Sequence, residues 1–282
     1  MKKAKKTALL IAVILIVVGF MISIGALASI RFDSSKLIDT EFTTKTYEVE
    51  KEFQNISIEA DNYDIRLVPS EDKHCKVVYQ EEREMTCSVC VEGDTLVIQQ
   101  ENHRKWSEYI DFSWGKRELT VYLPQTEYRE FKVESLSGTI KIPKEFTFTE
   151  ASICNTSGDI YFGAAVKGTL SLETFSGDLE LHNVTAENIE MQSISGDIEC
   201  FRVAAQEKLE IESTSGEIEL TQSDAATMDL KTVSGDVEGT ILSGKSFDID
   251  TVSGDVMVPP SGTGGSCRIE TMSGDIEIGI WN

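Results

Sequence analysis

The chain is short of the residues that most enzymes work with. Its 282 residues hold only three histidines, His74, His103 and His182, far apart in sequence, so no nucleophile–histidine–acid set stands out. Positive charge is scarce as well: 26 Lys and Arg stand against 48 Asp and Glu, a formal net charge of −22. Residues 132–282 alone carry 26 acids against 9 bases, a net −17. That balance argues against nucleic acid or an anionic membrane surface as a partner of this region. Beyond residue 131 the segments lack 3.6-residue periodicity, and no long insertion interrupts them. Without long loops there is no wall for a cleft, which weighs against polysaccharide cleavage by paired carboxylates, the remaining enzymatic reading.

What the chain has in abundance is repetition. Eight related tetrapeptides run from Ser137-Gly138-Thr139-Ile140 to Ser273-Gly274-Asp275-Ile276, their glycines stepping by 19 or 20 residues. A period that strict implies stacked units, each burying its apolar face against its neighbours. Seven and five residues before each Gly stand apolar side chains such as Leu170 and Leu172 or Leu209 and Ile211, with a polar residue between them. Two and four residues after it the alternation resumes, as in Leu179 and Leu181. This is the period of a strand with one buried face. Gly suits the corner because it accepts positive φ without a Cβ clash.

Units of about 20 residues are too short for a βαβ crossover. The expected fold is all-β: a β-solenoid of about eight to nine 19–20-residue coils with an N-terminal β cap, preceded by one transmembrane helix. Coils stacked at about 4.8 Å make eight of them a rod of roughly 40 Å. A wound-up antiparallel sandwich is the alternative. Ser135, Asn155, Thr174, Ser193, Ser213, Thr232, Thr251 and Thr271, three before each Gly, are expected to form an inward hydroxyl ladder beside the corner.

Lys2, Lys3, Lys5 and Lys6 precede an uncharged run over 7–30, long enough to span the hydrocarbon layer. Charge placement keeps the lysines in the cytosol and exports the rest. Residues 1–30 are therefore read as a signal anchor, with removal after Ala28 as the alternative. The expected location is a single-pass cell-membrane protein with an extracytoplasmic C-terminal domain. Residues 31–46 read as a linker, 47–130 as a β cap with a degenerate first coil whose corner is Asn62-Tyr63, and 131–282 as the solenoid. Trp281 and Asn282 end the repeats abruptly, so the last coil is expected to form a poorly covered edge.

Cys200 and Cys267 fall in inward columns and Cys154 in a polar one. Cys87-Ser88-Val89-Cys90, with His74 and Cys75 upstream, leaves three readings open: ordinary thiols, a disulfide among Cys75, Cys87 and Cys90, or a metal site. Alternation along a strand would point Cys87 and Cys90 to opposite faces.

The opening from Leu123-Pro124 through Phe131, Val133, Ser135, Ser137-Gly138, Ile140 and Ile142, the recurrent Ser-Gly-Asp corners and the single-span export signal resemble a bacterial family grouped as putative adhesins, with a domain of unknown function, which includes LiaG-like envelope proteins. The resemblance covers about residues 45–282. It implies a surface-exposed β-solenoid, with links to envelope stress in some members, and it supplies no catalytic residue.

The one repeated chemical group is the acid after each Gly: Asp159, Asp178, Asp197, Glu217, Asp236, Asp255 and Asp275, with Thr139 breaking the row. Stacked carboxylates repel, and calcium would suit them as an oxygen-seeking ion of flexible geometry. The competing reading is that each acid caps backbone N–H groups at its corner. No other cofactor is expected. The function expected from all this is a non-enzymatic, membrane-anchored scaffold or binding protein of the envelope, with cell-wall polymer or an envelope protein as partner. The alternative is an accessory in envelope-stress sensing that acts through its membrane span.

Overall fold

The structure is a computed structural model that describes residues 43–71, 74–81, 85–102 and 117–281. The expected transmembrane helix over 1–30 lies outside the described residues. No helix among the described residues is long and apolar enough to cross a membrane. All described regular structure is β. An N-terminal group comprises β1 (Thr43–Val49), β2 (Asn55–Glu59), β3 (Tyr63–Pro69), β4 (Cys75–Glu81), β5 (Met85–Glu92), β6 (Thr95–Asn102) and β7 (Arg117–Leu123). Then follow β8 (Glu127–Ser137), β9 (Ile140–Ile142), β10 (Thr147–Ser157), β11 (Ile160–Phe162), β12 (Ala165–Val166), β13 (Thr169–Ser176), β14 (Leu179–His182) and β15 (Thr185–Ser195). The last are β16 (Ile198–Phe201), β17 (Ala204–Ser215), β18 (Ile218–Ser234), β19 (Val237–Ile241), β20 (Ser246–Thr251), β21 (Val256–Met257), β22 (Ser266–Ser273) and β23 (Ile276–Ile280).

The repeats stack in parallel and in register, which settles the choice between solenoid and antiparallel sandwich. Strands before the corner form one ladder, in which Leu170 pairs with Ile189 and Leu172 with Met191. Strands after it form a second, pairing Leu179 with Ile198 and Leu181 with Cys200. The inward columns fill the space between the ladders, and Phe131, Leu170, Ile189, Leu209, Ile140, Ile198 and Ile218 are fully buried. Each such column buries about 1.5–3 kcal/mol of transfer free energy per aliphatic side chain. The corner is closed by glycine of necessity. Gly196 has φ of 134°, and a Cβ there would collide with the carbonyl oxygen of Gly177 in the neighbouring coil.

Two features depart from simple sequential winding. At the C-terminal end β22 pairs with both β18 and β20, and β23 with both β19 and β21. The corners are therefore stacked in the order Gly216, Gly235, Gly274, Gly254. The last coil in sequence is the last but one in space, so the expectation that it forms the bare edge is corrected. The coil around Gly254 is the edge instead. Phe247, Ile249 and Val258, read from sequence as core positions, are only partly buried there, and Val256 is exposed.

The N-terminal end repeats the device. β2 lies between β6 and β8, and β3 between β7 and β9, although β6 and β7 come later in sequence than β2 and β3. The antiparallel strands β5 and β4 then cover the outer edges of β6 and β7, and β1 pairs antiparallel with β4.

Lys245 pins the C-terminal rearrangement. Its side chain is 1% exposed, pairs with Asp224 at 2.5 Å and donates to the carbonyls of Ala225 and of Gly264, the latter at 2.6 Å. The ammonium thus ties the start of one coil to the loop that leads into the inserted one. An ion so enclosed is tolerated because each of its three protons has an acceptor.

Candidate functional site

The corner acids are arranged as a directional ladder. Oδ1 of Asp159 accepts the N–H of Asp178 at 3.1 Å, Asp178 that of Asp197 at 2.9 Å, and Asp197 that of Glu217 at 2.9 Å. Past the swap, Asp236 accepts from Asp275 at 2.7 Å and Asp275 from Asp255 at 2.8 Å. In the degenerate coil Asp64 serves Thr139 in the same way at 2.9 Å. Asp159, Asp178, Asp197, Asp236 and Asp275 therefore each cap a backbone donor of the coil beside them, the role a short carboxylate performs best, while Asp255 in the edge coil only donates.

Glu217 departs from that pattern. Its carboxyl is pushed up to about 7, first by a hydrogen bond to the Glu238 carboxyl, then by burial and by the charges of Glu238, Asp197 and Glu219. One coil along the acidic face, Glu180, His182 and Glu199 bring their ligand atoms within 4.8 Å of one another. Burial and the Glu199 charge raise the Glu180 carboxyl, while His182, 3.5 Å away, lowers it. His182 looked isolated in sequence, and stacking is what brings it to two glutamates.

The hydroxyl column behaves as expected in position except at Thr251, which is only partly buried in the edge coil, and less so in bonding. Ser135, Asn155, Thr174, Ser193, Ser213, Thr232 and Thr271 are all buried. The Ser135 hydroxyl donates to Ala60 O at 2.9 Å. The hydroxyls of Thr174, Ser193, Ser213, Thr232 and Thr271 find no partner.

All six cysteines are free thiols. Cys87 is buried and Cys90 exposed, on opposite faces of β5. Burial pushes Cys75, Cys87, Cys200 and Cys267 up to about 12, so these thiols stay protonated and unreactive at neutral pH.

The feature that sequence reading missed lies two residues before each Gly. In stacking order the column reads Leu136, Thr156, Phe175, Ile194, Thr214, Val233, Met272 and Val252, flanked by the register pairs Thr174–Ser193, Thr232–Thr271 and Thr251–Thr271. Phe175 is 58% exposed, Met272 60% and Val252 78%, and Leu136, Ile194 and Val233 are also exposed. A shallow groove of about 770 Å³ runs beside it, between this column and the outward column of Cys154, Glu173, Gln192, Glu212, Lys231, Glu270 and Asp250. An exposed apolar column, broken only at Thr156 and Thr214, is the kind of surface that partners cover. The signal was available in the sequence as a fifth apolar column, but its placement next to the inward hydroxyls hid which face it occupies.

A parallel, β-solenoid-like coil stack with an elongated apolar and acidic face is a repeat protein built around a surface. The chain belongs to the Toastrack DUF4097 family, whose model matches residues 53–207 and 163–282. Among solved structures it is similar to a "putative adhesin" from Parabacteroides distasonis ATCC 8503, at 15% identity, with a TM-score of 0.46 and coverage of 85% of this chain and 98% of that one. A "putative adhesin" from Bacteroides fragilis NCTC 9343 shows 17% identity, a TM-score of 0.45 and coverage of 85% and 98%. A "putative lipid binding protein" from Parabacteroides distasonis ATCC 8503 shows 16% identity, a TM-score of 0.39 and coverage of 84% and 97%. Among curated proteins there is no match.

Proposed function

We propose that the protein is a non-enzymatic binding scaffold, held at the outer face of the cell membrane by residues 1–30, that offers its exposed apolar column to a partner in the envelope. The observation that carries this reading is the column itself. Six of its eight positions hold large apolar side chains left in water, on a chain with a net charge of −22. Leaving them exposed forgoes roughly 1 kcal/mol or more of burial at each position, which a bound partner would recover.

The test is site-directed photocrosslinking on cells. A crosslinking residue at position 194, in the column, should yield a discrete adduct, whereas one at position 219, on the other ladder, should not. Equal yields from both faces, or none from either, would overturn the reading. Exchanging residues 1–30 for an unrelated span is tolerated by a scaffold and abolishes function in a sensing accessory. Calcium enters as a bridging ion along the corner acids if millimolar calcium raises the melting midpoint above that in magnesium at matched ionic strength; an unchanged midpoint leaves those acids as caps.

A further inference from the structure

We propose that the occupant of the apolar column is a basic amphipathic α-helix of about twenty residues, part of a partner protein, lying parallel to the stacking direction. This rests on the reading of the column as a docking surface and adds the chemistry of what docks there.

Length comes first. Eight coils at about 4.8 Å place Leu136 and Val252 about 34 Å apart, the length of a helix of about 22 residues at ~1.5 Å per residue. Periodicity decides between helix and strand. An amphipathic helix returns an apolar residue to one line every three or four positions, about 5.3 Å of rise. Against a coil spacing of ~4.8 Å it drifts by about 0.5 Å per step, less than one coil over the whole column. A strand presents a same-face residue only every ~6.7 Å and loses phase within about three coils. Size adds a finer constraint. Thr156 and Thr214 are the two small positions in the column, three coils and hence about 14 Å apart. A helix with bulky residues ten or eleven positions apart would seat one in each dip.

Charge then fixes one flank. Along the groove beside the apolar line stand Glu173, Glu212, Glu270 and Asp250. A helix lying against that acidic row needs basic residues along the edge of its apolar face that meets it, and an anionic polymer or lipid headgroup would be repelled. Lys231 interrupts the row, but Glu212 and Asp229 already engage its ammonium at 3.0 Å and 3.2 Å.

The experiment titrates full-length protein in zwitterionic nanodiscs, with empty nanodiscs as reference, against three labelled 22-residue peptides. One is a Leu/Lys amphipathic helix, one a Leu/Glu helix with the same apolar seam, and one a Leu/Lys peptide of identical composition patterned with period two. The Leu/Lys helix should bind at least tenfold more tightly than either of the others. The Phe175→Glu/Ile194→Glu double variant should weaken it at least tenfold. Both changes add negative charge, so loss of binding cannot be blamed on weaker attraction. Phe175→Ala/Ile194→Ala, a milder variant at the same exposed positions, should lower affinity in the same direction if the glutamates disturb folding. Equal affinity for wild type and both variants, or equal or better binding of the Leu/Glu or period-two peptide, overturns the proposal. Adducts at position 194 on cells combined with no Leu/Lys binding would leave the docking surface standing and remove the basic helix. The absence of adducts would remove the docking surface itself.

Discussion

A single methylene separates Glu217 from the aspartates at the other corners, and it moves the carboxyl off the capping line and onto Glu238. The raised folded value sets the sign of the pH effect. Between the ordinary carboxylate range and about 7 the folded state holds a proton that the unfolded state has released, so stability is gained as pH falls through 7 and lost as it rises. The melting midpoint should therefore rise on going from pH 8 to pH 5.5, and Glu217→Asp should shrink that rise while restoring a cap worth about 1 kcal/mol. A midpoint shift identical in both proteins would show that Glu217 does not carry the effect. Glu180, also raised, contributes with the same sign in both. The hydroxyl column yields a second residue-scale expectation. Thr232 Oγ1 is buried without a partner, so Thr232→Val replaces an unpaired polar atom by a methyl and should stabilise by roughly 1 kcal/mol in urea unfolding.

At the scale of the element, the corner is the least tolerant part of the coil. Gly196→Ala places a side chain at φ of 134° and drives it into the backbone of the next coil. A loss of roughly 3 kcal/mol, read from chemical denaturation, is expected. How much of such an element was legible in sequence differs from column to column. The inward positions and the hydroxyl row follow from alternation, and Leu170 and Thr174 stand where that logic puts them; the acids were expected to cap their own corners, and instead Asp178 caps Asp197 in the coil beside it, a partner that only stacking supplies. The exposed column was missed because apolar residues are read as core by default, and Phe175 differs from Leu172 only by its parity along the strand. The swapped order of the last two coils was not legible either. Near-identical repeats carry no address, and the Gly254 corner fits beside Gly235 in sequence as well as Gly274 does. Outside the repeat pattern, the contacts of Lys245 with Asp224, Ala225 and Gly264 distinguish the two placements.

For the molecule as a whole, Lys245 is the residue on which the C-terminal arrangement turns. Lys245→Met removes an enclosed ammonium, leaving the Asp224 carboxylate without its counter-ion and the carbonyls of Ala225 and Gly264 each short of a charged donor, a change that costs about 3–5 kcal/mol. Hydrogen exchange should then accelerate over residues 237–280 while residues 147–215 keep their protection; uniform acceleration would mean that the stack melts as one unit and that Lys245 does not govern its end. The swap has a mechanical meaning too. A solenoid wound in simple order can be peeled from its terminus one coil at a time, each ladder opening like a zip. Here β22 and β23 are clasped by a ladder on each side, so a pull on Trp281 loads two rows of hydrogen bonds in shear at once. Tension that enters through β23 therefore meets two ladders where an edge strand would offer one.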